Sequence, residues 1–146
     1  MKTAILMRHG EAVSQGPDGD RARPLTSAGR EQARRVGQRL GERGVKLDCI
    51  LCSSATRARQ TAELVASEIG FSSSLAAQDA LYGASDQGYL QALRALPDNV
   101  SSVLLVAHNP GIGTLAMKLC GAGPSFDPGA IAIGSFEVDA WAKVGF

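Results

Sequence analysis

The chain holds two histidines, His9 and His108, and each stands directly after a short apolar run: Thr3 to Met7, then Arg8, for the first, and Val103 to Ala107 for the second. A further apolar run, Cys49 to Cys52, is followed by Ser53 and, one helical turn later, by Arg57. Two imidazoles with two guanidiniums suit phosphoryl transfer. Arginine stays cationic, and its planar fork matches two phosphate oxygens at once. A neutral imidazole can attack phosphorus in line, while a second can stabilise or protonate an equatorial oxygen. Arginine charge close by is expected to disfavour the imidazolium form and so keep the attacking ring neutral. Each of these residues alone reads more readily as a solvated loop residue than as part of a site. It is the four together, at equivalent places, that point to a site.

Such a site needs elements that deliver it. The apolar runs read as buried strands with polar groups at their carboxyl ends. Thr26 or Ser27 can cap a helix with Ala33, Val36, Gly37 and Leu40 on one face, ended by Gly44. Ala58, Thr61, Ala62, Val65 and Ile69 mark a second helix, closed by Gly70. Tyr89, Ala92, Leu93 and Leu96 mark a third, ended by Pro97, and Ile112, Leu115, Ala116 and Leu119 a fourth. Ala130 to Val138 has the β-branched and aromatic content of a last strand. Residues 16–24, rich in Gly, Pro, Asp and Arg, read as a surface loop, and a Ser-rich connection leads to Leu81, Tyr82 and Gly83. Strand alternating with helix predicts an α/β sandwich on a mainly parallel sheet, where ligands collect beyond the carboxyl ends of the strands. No repeat or linker interrupts residues 1–146, so one domain is expected.

Composition narrows the function classes. With 45% hydrophobic and 20% charged residues and a formal net charge of +1, nothing argues overall for nucleic acid or an anionic membrane as partner. The apolar stretch before Arg8 is too short for a signal-peptide core, and the expectation is a cytoplasmic protein. Three cysteines, Cys49, Cys52 and Cys120, are then expected to be reduced thiols. Cys49 and Cys52 form a C-x-x-C, but residues three apart in a strand face opposite sides, so small buried hydrophobes are a better reading than a redox pair or half a zinc site. Arg30, Arg34, Arg35, Arg39 and Arg43 line the first helix and read as a solvated face rather than a docking surface. No cluster of His, Cys and carboxylate suggests a metal, and no cofactor is implied.

Three blocks carry a family resemblance. Arg8, His9, Gly10, Glu11 after an apolar strand resembles the signature of the histidine phosphatase superfamily, the phosphoglycerate-mutase-like group. The stretch from Ser53 through Arg57 to Ala62 resembles its second block, and Val106 to Gly111, with His108, its third. Within the superfamily the chain is similar to the short SixA-type phosphohistidine phosphatases, through residues 20–26, Leu81, Tyr82, and the segment from Gly129 to Trp141. The resemblance implies a three-layer α/β/α sandwich. It implies His9 as nucleophile, with Arg8, Arg57 and His108 around the phosphate, and offers Arg23 as a third arginine, a residue that reads equally well as a surface arginine beside Pro24. Asn109 either touches phosphate or holds the turn before Pro110, and Glu11 either donates a proton or points into the scaffold.

The substrate expected from this resemblance is a histidine-phosphorylated signalling domain. A small phosphate ester such as a phosphosugar is the alternative, and a non-catalytic phosphate-binding module a weaker one, since binding needs no nucleophile. An alkoxide leaving group benefits from a positioned acid, and among Glu63, Glu68, Asp79 and Asp86, the carboxylates read between Arg57 and His108, none stands out. A phosphorylated imidazole can carry its own proton and leave as neutral imidazole.

Overall fold

The computed structural model describes residues 1–146. Five strands form one sheet: β1 (Lys2–Arg8), β2 (Cys49–Ser53), β3 (Ala76–Gln78), β4 (Ser102–Ala107) and β5 (Ile131–Phe136), in the order β3-β2-β4-β1-β5. The first four run parallel and β5 pairs antiparallel with β1. Between them lie α1 (Ser27–Glu42), α2 (Thr56–Ile69), α3 (Asp86–Arg94) and α4 (Gly111–Cys120).

Successive strand side chains point to opposite faces of a sheet, and here each set meets its own pair of helices. Ala4, Leu6, Leu51, Val103 and Leu105 pack with Tyr89, Leu90 and Leu93 of α3 and Ile112, Leu115 and Ala116 of α4. Ile5, Met7, Ile50, Cys52, Leu104 and Val106 pack with Val36 and Leu40 of α1 and Ala58, Ala62 and Val65 of α2. The result is the expected three-layer α/β/α sandwich. Cys49 and Cys52 fall on opposite faces, all three thiols are free, and burial pushes Cys52 up to about 11, a thiol with little thiolate character.

Helix ends follow the sequence closely. Thr26 caps α1, its hydroxyl accepting the Gly29 N–H at 3.0 Å, and Gly70 closes α2 at φ 74°, where a side chain would be strained. Two elements depart from the reading. The Ser-rich connection contains β3, whose three residues are too few to show a period. The last strand is shorter than residues 130–138, because Ala130 turns on Asp127 and Val138 on Phe136.

Candidate active site

Strand register brings the two histidines together. Arg8 of β1 pairs with Ala107 of β4, so the residues that follow, His9 and His108, leave the sheet side by side with ring centroids 5.1 Å apart. Beyond His9 the chain passes tightly under the first turn of α1. A Cβ on Gly10 would stand 2.5 Å from the Gly29 carbonyl oxygen, and one on Gly29 2.0 Å from that of Glu11. Only hydrogen fits at either position. The Gly10 N–H is held by Thr61 Oγ1 of α2 at 3.1 Å.

This backbone fixes the tautomer of His9. Its Nδ1 lies 2.7 Å from the Gly10 carbonyl, an acceptor only, so the proton is on Nδ1 and the lone pair on Nε2. Nε2 accepts from Arg57 Nε at 3.4 Å. His9 is held low, at about 4, mainly by burial, with Arg57, Arg8 and Arg23 acting in the same direction and the Gly10 carbonyl opposing. Arginine charge, the cause expected from sequence, is therefore secondary to desolvation. The ring is neutral near pH 7 either way.

His108 is oriented from behind. Its Nε2 sits 2.7 Å from Ser53 Oγ at the end of β2, and that oxygen already accepts the Ala55 N–H at 3.1 Å. With the serine proton directed to Nε2, the imidazole proton sits on Nδ1, a buried atom with no partner inside the protein. Arg8 Nε is the other such atom. Buried donors without acceptors are rare, and two beside one cavity fit an oxyanion. Burial first, then His9 and Arg57, hold His108 down at about 3. The His108 backbone N–H donates to the Tyr89 hydroxyl at 3.2 Å, which itself donates to the Leu81 carbonyl at 3.0 Å.

Arg57, projecting from the first turn of α2, is 6% exposed. Beyond His9 it reaches Asp20, donating from Nη1 to the backbone carbonyl at 2.8 Å and from Nη2 to Oδ2 at 3.2 Å. Arg23 Nε donates to Asp20 Oδ1 at 3.0 Å, and the Tyr82 hydroxyl to Oδ2. Arg8 Nη1 donates to the Phe126 carbonyl at 3.3 Å. Arg8, His9, Arg23, Arg57, His108 and Asn109 all line a cavity of about 490 Å³. Three guanidiniums and two imidazoles around one cavity are an arrangement whose charge and hydrogen-bond donors suit a phosphoryl group.

Residues 4–82, more than half of the chain, match the histidine phosphatase superfamily, branch 1. The chain belongs to that superfamily. It is 35% identical to phosphohistidine phosphatase SixA of Escherichia coli over 134 residues, 88% of this chain and 81% of that one. Among solved structures, a protein histidine phosphatase SixA complexed with tungstate superposes with a TM-score of 0.76 at 32% identity, covering 90% of this chain and 86% of that one. The serine/threonine-protein phosphatase Pgam5 of Drosophila persimilis is 45% identical over 67 residues, 46% of this chain but only 23% of that protein. The chain thus spans about a quarter of the Pgam5 relatives it matches.

In this histidine phosphatase the two residues with open alternatives, Asn109 and Glu11, both border the cavity. Asn109 lines the cavity, but its amide is committed to the scaffold, donating to the Phe126 carbonyl at 2.7 Å and accepting the Gly113 N–H at 3.1 Å. It holds the turn. Glu11 borders the cavity while its backbone N–H donates to Gln32 Oε1 at 2.8 Å. The carboxylates considered between Arg57 and His108 do not line the cavity; Asp79 pairs with Arg21 and Asp86 with Lys118. The carboxylate that does contact the arginines is Asp20, which comes from upstream of Arg57 and whose role sequence reasoning missed, along with those of Tyr82 and Ser53. Only the clustering of Asp20, Arg21 and Arg23 in a loop without apolar periodicity hinted at it.

Proposed function

We propose that the protein is a phosphohistidine phosphatase that hydrolyses the phosphoryl group of a histidine in a protein through a phosphohistidine intermediate of its own. The observation that carries this is the His9 ring, with Nδ1–H anchored on Gly10 and a bare Nε2 turned to Arg57 in a cavity of cationic and imidazole groups. In the first step His9 Nε2 bonds to phosphorus as the bond to the substrate nitrogen breaks. Arg8, Arg57 and Arg23 hold the equatorial oxygens, and His108 Nδ1–H donates to one of them as charge shifts in the transition state. In the second step water attacks the phosphorylated His9 and phosphate departs.

Likeness over most of the chain to a phosphohistidine phosphatase supports this choice of substrate. So does the approach to the site: residues 71–85 carry only β3 and a one-turn helix, with no helical layer over the strand ends. A side chain presented on another protein can enter. The reaction needs no metal in this reading, since the arginines supply the electrostatics. Free thiols and the lack of any helix long and apolar enough to cross a membrane agree with a cytoplasmic place of action. Turnover per active site on a phosphohistidine domain, phosphoserine peptides and sugar phosphates tests the assignment. Faster cleavage of the first is expected. Equal or faster cleavage of the esters would replace it with a phosphoesterase using the same His9.

A further inference from the structure

Asp20 stands on a one-turn helix (Asp20–Ala22) rather than at a strand end, yet its side-chain partners, Arg57, Arg23 and Tyr82, all line the catalytic cavity. Along the Arg57 guanidinium the order is His9 at Nε and Asp20 at Nη1 and Nη2. The nucleophile and the Asp20 carboxylate are thus bound to one guanidinium, at different nitrogens, beside the cavity that would take the phosphoryl group. In-line displacement expels the leaving group opposite the nucleophile.

We infer that Asp20 selects the leaving group, binding the ring N–H of a phosphorylated imidazole and disfavouring alkoxide leaving groups. This rests on the phosphohistidine reading above. When His9 Nε2 bonds to phosphorus, the P–N bond of the substrate breaks and its electron pair returns to that nitrogen. A ring protonated on its other nitrogen then leaves as neutral imidazole, keeping that proton. A carboxylate facing this N–H favours the protonated ring before the bond breaks. The cationic N–H is a stronger donor than a phenol, so it takes the place of the Tyr82 hydroxyl on Oδ2. An alkoxide gains nothing here. Asp20 accepts from Arg23, Arg57 and Tyr82 and is held ionised, down at about 2, with the Tyr82 hydrogen bond the largest cause. It has no proton to give, and its charge opposes that of a departing oxygen. The other charged groups near this mouth are Arg8, Glu11 of the β1–α1 loop, and Arg21, 4.7 Å over the Tyr82 ring and paired with Asp79.

The test is Asp20→Asn, which keeps the shape and removes the charge. kcat/KM is measured for a phosphohistidine peptide and for para-nitrophenyl phosphate, whose phenolate leaves without a proton, between about pH 5 and 9. The ratio of phosphohistidine to aryl phosphate cleavage is expected to fall roughly ten- to a hundredfold. The alkaline decline of phosphohistidine cleavage should also move to lower pH, because the substrate ring loses its proton more readily. Equal losses on both substrates with an unmoved pH profile would make Asp20 a support for Arg57 and overturn the inference, as would an unchanged ratio. A wild-type protein that cleaves no phosphohistidine would defeat the functional reading and the inference with it. Wild-type cleavage with an unmoved ratio in the variant defeats the inference alone.

Discussion

Arg57 Nε lies 3.4 Å from His9 Nε2, so the guanidinium that would grip a phosphoryl group also touches the atom that would attack it. The contact is between a cation and a lone pair. It helps keep the lone pair unprotonated. One arginine would thereby act on both partners of the proposed reaction.

His9 should carry the intermediate. Phosphoryl label from a radioactive substrate is expected on this residue, labile in acid and stable in base, as a phosphoramidate requires. Label of undiminished intensity in His9→Ala would show that another group is the nucleophile.

Arg57→Ala is expected to lower kcat by about two to four orders of magnitude, since the bidentate contact proposed between this buried guanidinium and the phosphoryl oxygens would be removed. Arg57→Lys restores the charge without the fork and should recover only a small part of that loss. A loss below about tenfold for the alanine variant would remove Arg57 from the transition state.

The acid limb of the pH profile follows from His9. Its free value near 6.5 is depressed to about 4 in the folded protein, so the neutral, attacking form persists as pH falls from neutrality and is lost only through about 4. kcat/KM should therefore hold to near pH 5 and fall tenfold per unit well below pH 4. Stability moves the same way. The unfolded chain takes up protons on both histidines below its own value near 6.5, so stability contributed by the neutral rings declines as pH drops from there toward about 4 and about 3. An acid limb centred near 6.5 would contradict the burial of the ring.

Tyr89→Phe leaves two buried backbone groups, the His108 N–H and the Leu81 carbonyl, without their partner. A cost of about 1–3 kcal/mol in denaturant unfolding is expected, with a drop in kcat as His108 loses a support. Wild-type stability in this variant would mean that water or a backbone shift replaces the hydroxyl.

Chelator treatment should leave turnover unaltered. Loss of activity on chelation and recovery with a divalent ion would assign the electrostatic work to a metal instead of the arginines.

His9 and His108 were legible because each ends an apolar run, and runs of that kind become strands whose ends lie together. Their shared position across the β1–β4 register follows from the topology and was implicit in the alternation of elements. Helix limits at Thr26 and Gly70 were legible from local chemistry that tertiary packing did not override. Ser53, Asp20 and Tyr82 were harder. Their roles come from loop conformations and hydrogen bonds between residues up to 62 apart in sequence, and neither leaves a periodic trace. The dominant cause of the histidine shifts was also hidden, because burial is a property of the packed layers, whereas the arginines are visible as letters.

The ends of β2, β4 and β1 are adjacent in the sheet and supply Ser53, His108 and His9, while Asp20 and Tyr82 belong to connecting segments. Backbone amides of the central strands exchange with solvent only when the domain opens as a whole, whereas loop amides exchange through small local openings. The half of the site that would make and break bonds therefore shares the lifetime of the fold, and the half that would meet an incoming partner does not. Mutational drift can rewrite the rim, and with it the choice of substrate, without disturbing the atoms that handle phosphorus.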